Sequence, residues 1–326
     1  MNFQLSDDQK ALQEGIRSFC QGRVAVEQLR KLEGPGFEAG LWRELAELGV
    51  FSLRLPEDEG GVGLGCADAV LVFEELGRAL VPGPLIWSHL AAGLVEGAAS
   101  GETVVGGLDL LGELQEPFVI EHCESLDALL LLRADGVYRV DPAALSAARV
   151  EPPLDPLTPI HHAQSLPQGE RIGDAARAQE LRLLGAALAS GFLLGIAETT
   201  QELAVDYAKK REQFGRVIGS FQAIKHICAD MFVHQEVARA AAYAAGATLD
   251  HPEVGDVSRA VSAAKITCGE AAMKNARACI QVHGGMGYTW EVPAHYYLKR
   301  TWVLETCFGT IDEHAENVAS RIEVAA

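Results

Sequence analysis

Between residues 174 and 211, apolar side chains return at every fourth position: Leu184, Leu188, Phe192 and Ile196. That spacing lays one apolar stripe along a helix. The pattern is rich in Ala and Gly and is longer than an ordinary globular helix. A helix of this kind has to be covered by other helices, so it predicts a bundle or an oligomer core. Its most apolar part, Leu183 to Ala197, is not an uninterrupted membrane span and reads as a buried bundle helix. Two further helical stretches follow, "SFQAIKHICADMFVHQEVARAAAYAAGATL" and "DVSRAVSAAKITCGEAAMKNARACIQV". Their alanines permit close approach, and a four-helix bundle over 174–326 is the expected product.

Upstream the texture differs. Residues 1–100 are helical in pattern, with Ser6 as N-cap of the first helix. In "FEAGLWRELAELGV", Leu41, Leu45 and Leu48 share a face ahead of a C-capping Gly49. "LPEDEGGVGLG" is a glycine-rich turn, and "CADAVLVFEELGRALVPGPL" is a helix stopped by Pro82 and Pro84. Residues 101–173 switch to short apolar runs, "ETVVGGLDL", "EPFVIEH", "DALLLLR" and "GVYRV", which predict strands. "VEPPLDPLTPIHH", with four prolines, predicts extended connection. The fold class expected is mainly α with a small β domain: an N-terminal helical domain, a reduced middle β domain and a C-terminal four-helix bundle.

Composition excludes several functions. The formal net charge of −18 argues against binding nucleic-acid phosphates over a broad face. The charged opening "MNFQLSDDQKALQEG" lacks the apolar stretch of an export signal. Seven cysteines, an odd number without a CxxC pair, fit reduced thiols in a cytoplasmic protein. His161 and His162 are adjacent in the Pro-rich stretch, without ligands at metal spacing, and read as a solvated loop.

Two stretches carry chemistry. In "KKREQFGRVIGSFQAIKH", Arg211 falls at a helix C-terminus, where the dipole favours a cation. The alternative is a guanidinium presented with Phe214, Gln213 and Gln222 to a phosphorylated aromatic ligand, since the arginine fork suits pyrophosphate. "QVHGGMGY" has the same duality. Gly284 or Gly285 could cap a helix, or leave backbone bare for a ligand. There is no GxGxxG after a strand, so a Rossmann dinucleotide site is excluded.

Taken in order, "YAKKREQFGRVIGSFQAIKH", "QVHGGMGYTWEVP" and "FGT" at Phe308–Thr310 resemble the C-terminal domain of acyl-CoA dehydrogenases. "LWRELAELGVFSLRLPEDEGGVGLGCADAVLVFEELGRAL" resembles that family's opening helical domain. The resemblance implies FAD contacts. Arg211 and Phe214 match the R-x-x-F-G residues that meet a neighbouring subunit's FAD, with Gln213 and Gln222 beside them. Gln281, with Gly284 and Gly285, matches the part that meets the adenosine end of the same cofactor. Thr310 matches a residue touching the flavin on its own side.

Two departures stand out. The family needs a carboxylate to remove the α-proton. One family position for it is Phe308 here, and the other falls at Gly185, beside Ala186. Glu305 and Glu180 lie nearby but out of register, so no catalytic residue is assigned. The middle region also lacks T-E-P followed by Gly-Ser, and the Trp-Ile-Thr/Ser segment that faces the flavin ring. The resemblance therefore implies a non-catalytic subunit that shares FAD with a second acyl-CoA dehydrogenase-type chain. That arrangement is similar to the actinobacterial α2β2 enzymes acting on sterol side chains. Acyl-CoA would be the substrate and an electron-transfer flavoprotein the acceptor. Rival readings are a homo-oligomeric flavoprotein with oxygenase or hydratase-like chemistry, and a purely structural subunit.

Overall fold

A computed structural model describes residues 4–112 and 116–322. Five helices come first: α1 (Asp7–Arg23), α2 (Val26–Lys31), α3 (Ala39–Glu47), α4 (Cys66–Arg78) and α5 (Leu85–Ala91). Ser6 caps α1 in a reciprocal box with Gln9. Leu41 and Leu45 of α3 are buried, but Leu48 is 42% exposed, contrary to the expected shared face. The helix ends at Glu47, and the chain turns away through Gly49 at φ +79° before Leu48 can reach the core. The sequence reading also missed α5. Pro84 does not only stop a helix; it stands at the N-cap of the next one, where its fixed φ and missing N–H are tolerated.

The strands are β1 (Val105–Asp109), β2 (Phe118–Glu121), β3 (Ala128–Arg133), β4 (Gly136–Val140), β5 (Ala147–Arg149), β6 (Ile160–Ala163) and β7 (Glu170–Asp174). One sheet has the order β1-β3-β4-β7, with β1 and β3 parallel and the other pairs antiparallel. A second has the order β2-β6-β5 and is antiparallel. The first four strands coincide with the expected ones. The histidine pair does not behave as a solvated loop. It lies on β6 between two partner strands, with His161 buried and Nε2 3.3 Å from Glu124 Oε1. A four-residue strand just after a proline run carries too little pattern to be seen in sequence.

Then come α6 (Ala175–Lys210), a two-residue-stranded hairpin β8 (Glu212–Gln213) and β9 (Arg216–Val217), α7 (Gln222–Asp250), α8 (Val257–His283), α9 (Ala294–Thr306) and α10 (Ile311–Ser320). Helix α6 is the axis of the molecule. It packs on α7 and α8 within the bundle and on α4 outside it. The short α9 and α10 both pack on α8. By length and composition α6 could cross a bilayer, yet 83% of its most apolar 18-residue stretch is buried inside the protein.

Small residues let α4 and α6 touch backbone to backbone. A Cβ added to Gly77 would stand 2.1 Å from the Phe192 carbonyl oxygen, and one on Gly195 would stand 2.0 Å from that of Glu74. Such distances are impossible for any other residue, so these glycines set the α4–α6 spacing. Asp250, at the end of α7, accepts from the N–H groups of Cys66 and Ala67 at 2.6 and 2.9 Å. It thereby supplies the N-terminal cap that Gly65 cannot.

Candidate functional site

Seven of the eight candidate cofactor residues gather at one end of the bundle. The C-termini of α6 and α8 meet there, tied by Tyr207 stacked on His283 at 4.2 Å. Beneath them lies a separate small core of Ala204, Ala208, Met231, Cys279, Ile280, Val282 and Ala294. Arg211 is the C-cap of α6, as the dipole argument expects. It is exposed and forms no ion pair among the described residues.

The segment after Arg211 is a hairpin that the sequence reading took for a simple break. Its corner residues are Phe214 at φ +55° and Gly215 at φ +77°. A tight two-residue hairpin needs positive φ at both corners, and Asn or Gly normally supplies it. A bulky residue there stores roughly 1–3 kcal/mol of strain. Phe214 is also 90% exposed. Neither local geometry nor burial explains the ring. Phe221 stands edge-on to it at 6.1 Å and carries the Arg216 guanidinium 4.1 Å above its own face. Arg216 is thus a second cation at this end that the motif reading did not single out. Gln213 and Gln222 are exposed beside it.

At the end of α8 the three glycines divide their work. Gly284 has φ +59° and ψ −137°, a conformation open to glycine, and ends the helix. A Cβ on Gly287 would lie 2.7 Å from the Ile280 carbonyl oxygen, so packing requires that glycine. Gly285 answers to neither constraint. Its φ is not positive, and a Cβ there would meet nothing within 4 Å. It is exposed next to exposed Gln281.

Thr310 is elsewhere. Its turn is anchored by Lys265, which is 18 residues before His283 on α8, about 27 Å along the helix axis. The Lys265 ammonium is completely buried and donates to the carbonyls of Leu304, Glu305 and Gly309 at 3.3, 2.7 and 3.1 Å. Burial pulls its pKa down to about 8, with Cys307 and Glu305 opposing. His314 Nε2 lies 3.0 Å from the Phe308 carbonyl oxygen, and Nδ1 lies 2.9 Å from Ser262 Oγ. The Thr310 hydroxyl accepts from the Glu313 N–H as N-cap of α10. The turn is therefore pinned, with Phe308 held at φ +57°.

The Phe308 ring points inward. It packs on Trp87 at 4.7 Å and covers Gly185, where an added Cβ would lie 2.4 Å from the ring. The two positions at which the family resemblance leads one to expect a base thus face each other, and neither has a carboxylate. Glu180 is exposed and paired with Arg177 at 2.7 Å. Glu305 is half-buried, and it is its backbone carbonyl that is engaged, by Lys265.

A carboxyl that the sequence reading missed is Glu121, the last residue of β2. With Phe308, Trp87, His122, Cys307 and Arg300 it lines a cavity of about 40 Å³. Burial pushes the Glu121 carboxyl up to about 7, against the pull of Arg300. Arg300 is itself buried and bound to Asp155 at 2.5 Å. The available sign was a charged residue at the end of an apolar strand run, which looks the same for a solvated strand end. Small-ligand pockets span about 300–1,000 Å³. The room beside Phe308 is far below that and does not fit a flavin ring. The open end of the bundle instead offers guanidinium groups, amides and bare backbone, a donor set that suits the phosphates and adenosine of a dinucleotide.

Comparison with known proteins agrees with this anatomy. Residues 6–101 match the model "Acyl-CoA dehydrogenase, N-terminal domain", and residues 177–323 match "Acyl-CoA dehydrogenase, C-terminal domain". The chain is 35% identical to the acyl-CoA dehydrogenase FadE34 of Mycobacterium tuberculosis, over 91% of this chain and 45% of that protein. It thus spans about half of FadE34's length. It is 33% identical to the acyl-CoA dehydrogenase IpdE2 of the same organism, over 81% of each. Its fold matches a chain of the ChsE4-ChsE5 complex from M. tuberculosis with a TM-score of 0.84 and 22% identity, covering 100% of both chains. The chain belongs to the acyl-CoA dehydrogenase family of FAD-binding oxidoreductases.

Proposed function

We propose that this chain is a cofactor-sharing, non-catalytic subunit of a heteromeric FAD-dependent acyl-CoA dehydrogenase. The observation that carries the reading is an asymmetry. The end of the bundle that would serve a neighbour's cofactor is open and chemically equipped. The chain's own flavin side is filled by Phe308 and Trp87. In this assembly residues 1–100 and 101–173 form the helical and β domains, and 174–326 carries the cofactor edge and the subunit interface. Arg211 pairs with the pyrophosphate, Phe214 lies against the cofactor with Gln213 and Gln222 beside it, and Gln281, Gly284 and Gly285 receive the adenosine end. Thr310, which caps α10, stands on the chain's own side, away from the shared edge. FAD, when bound, supplies the hydride acceptor for α,β-dehydrogenation of an acyl-CoA, and the proton is taken by a glutamate of the partner. The substrate class we assign is a bulky sterol-type acyl-CoA, and the electron acceptor an electron-transfer flavoprotein. Both rest on the resemblance to two-component enzymes of sterol side-chain breakdown.

The test is purification of this chain alone and with a co-expressed acyl-CoA dehydrogenase partner, recording mass in solution and the visible flavin spectrum. The expected outcome is a colourless single chain and a yellow heterotetramer. Arg211→Ala should lower the flavin content of the complex without dissociating it; unchanged flavin would leave only a structural subunit. A yellow homo-oligomer from the single chain would overturn the proposal. It would turn attention to chemistry of this chain's own, with Glu121 as the carboxyl that lines the same cavity as Phe308.

A further inference from the structure

Helix α1 meets α4 with a mixed face. Its buried residues are Ile16 and Cys20, two of seventeen, one helical turn apart. Beside them a polar row recurs every fourth residue, Gln9, Gln13 and Arg17, and each member reaches a carboxyl of α4. Gln9 Nε2 donates to Asp68 at 2.9 Å, Gln13 Nε2 lies 3.4 Å from Glu74 Oε1, and the Arg17 fork holds Glu75 at 3.0 and 2.6 Å. A helix held by so few buried apolar groups belongs to the part of a fold that opens locally.

Three carboxyls are buried at this junction: Glu74 and Glu75 of α4, and Glu198 of α6. Arg17 and Arg78 pair with Glu75, and Arg78 and Arg239 pair with Glu198. Arg78 and Arg239 are shared in turn with exposed Glu202 and Glu236. Among the described residues no cation is paired with Glu74. It accepts from the Tyr243 hydroxyl of α7 at 2.8 Å and faces the Gln13 amide. Helix α8 brings only the Cys268 thiol, which burial pushes up to about 12 and so keeps neutral. An ionised Glu74 would therefore be a buried anion beside two others, with neutral donors alone. Burial first, and then Glu198, hold this carboxyl well above the usual glutamate range, with Tyr243 and Arg239 opposing. The neutral acid has an O–H to donate, and half a turn of the Gln13 amide presents an oxygen to receive it.

We propose that α1 is a proton-dependent clasp: the neutral acid of Glu74 seats α1 on α4, and ionisation of Glu74 releases α1 while the bundle stays folded. Release lets water reach the carboxylate, which the seated helix excludes. It also opens a groove of about 270 Å³ that α1 closes against Arg78, Thr199, Glu202 and Tyr297. A glutamate in water loses its proton near 4.5, and the one under α1 loses it at higher pH. Seating is therefore at full strength below 4.5 and weakens as pH rises through the seated value. The clasp lies within one chain and does not depend on the cofactor-sharing reading.

The test is amide hydrogen exchange read by mass spectrometry on the full chain, in the assembly in which it purifies, from about pH 5 to 9. Rates are corrected for the intrinsic effect of pH on exchange. Protection of α1 relative to α8 should fall about tenfold for each pH unit above the seated value of Glu74. Glu74→Gln stays neutral and should hold that ratio flat. Tyr243→Phe removes a donor to the carboxylate and should move the fall to higher pH, which decides the matter if Glu74→Gln fails to fold. A ratio that is flat in the parent, or that falls equally in Glu74→Gln, would overturn the proposal. So would no shift in Tyr243→Phe, or loss of protection in α1 and α8 together, the mark of global unfolding. Ionisation of Glu121 acts through global stability and cancels in the ratio.

Discussion

Gly185 and Phe308 provide the sharpest check on the packing behind the proposed closure of this chain's own flavin side. An alanine methyl at Gly185 would sit 2.4–2.6 Å from three atoms of the Phe308 ring. The ring cannot retreat easily. Trp87 backs it, and the Phe308 backbone is held by His314 and by the carbonyls that Lys265 gathers. In a helix interior, Gly→Ala is worth about 1 kcal/mol of added stability, whereas overpacking a tight core costs about 1–3 kcal/mol. Gly185→Ala should therefore be net destabilising, by up to about 2 kcal/mol. Phe308→Ala should cost about 3–5 kcal/mol through the lost ring and the cavity left behind. In the Phe308→Ala background the clash is gone, and adding Gly185→Ala should stabilise by about 1 kcal/mol. The difference between the two backgrounds amounts to a coupling of about 1–3 kcal/mol. Urea unfolding followed by far-ultraviolet circular dichroism on the four chains measures it. If Gly185→Ala costs the same in both backgrounds, the ring does not fill the space over Gly185, and the account of the closed site is wrong.

Other perturbations bear on neighbouring claims. Phe214→Asn should stabilise the chain by about 1 kcal/mol by relieving positive-φ strain at an exposed corner. On the cofactor-sharing proposal it should also lower the flavin content of the complex; a gain in stability with full flavin retention would remove Phe214 from the cofactor edge. Glu121 holds its proton up to about pH 7 in the folded chain, while an unfolded glutamate releases it near 4.5. Folding is thus unaffected below 4.5 and loses up to about 3 kcal/mol as pH rises through 7. Glu121→Gln should therefore match the parent at pH 4.5 and exceed it at pH 8, read from urea midpoints at the two values. Lys265→Met leaves three buried carbonyls without their donor and should cost about 2–4 kcal/mol. Amide hydrogen exchange in 304–310 should rise more than in α7; uniform exchange would show that the ammonium does not hold that turn.

Periodicity was enough to read α6, α7 and α8, because a stripe of Leu184, Leu188, Phe192 and Ile196 has one economical burial. The first four strands were legible for a similar reason: "DALLLLR" has no polar face to turn outward, and β3 is buried along nearly its whole length. The ordered motifs carried the family, because Arg211, Gly285 and the "FGT" turn keep their spacing whatever the fold does. What sequence could not supply was contact between distant residues. Nothing local tells that Phe308 lies on Gly185, more than a hundred residues away, or that a lysine on α8 binds the carbonyls of the 304–309 turn. His161 looked like a solvated polar residue and Glu121 drew no notice, because burial belongs to the packed neighbours and not to the residue. Leu48 looked buried for the same reason. Of the three glycines in "GGMG", sequence offered two explanations for all of them. Backbone angles and packing distances gave helix ending to Gly284, close packing to Gly287, and left Gly285 bare.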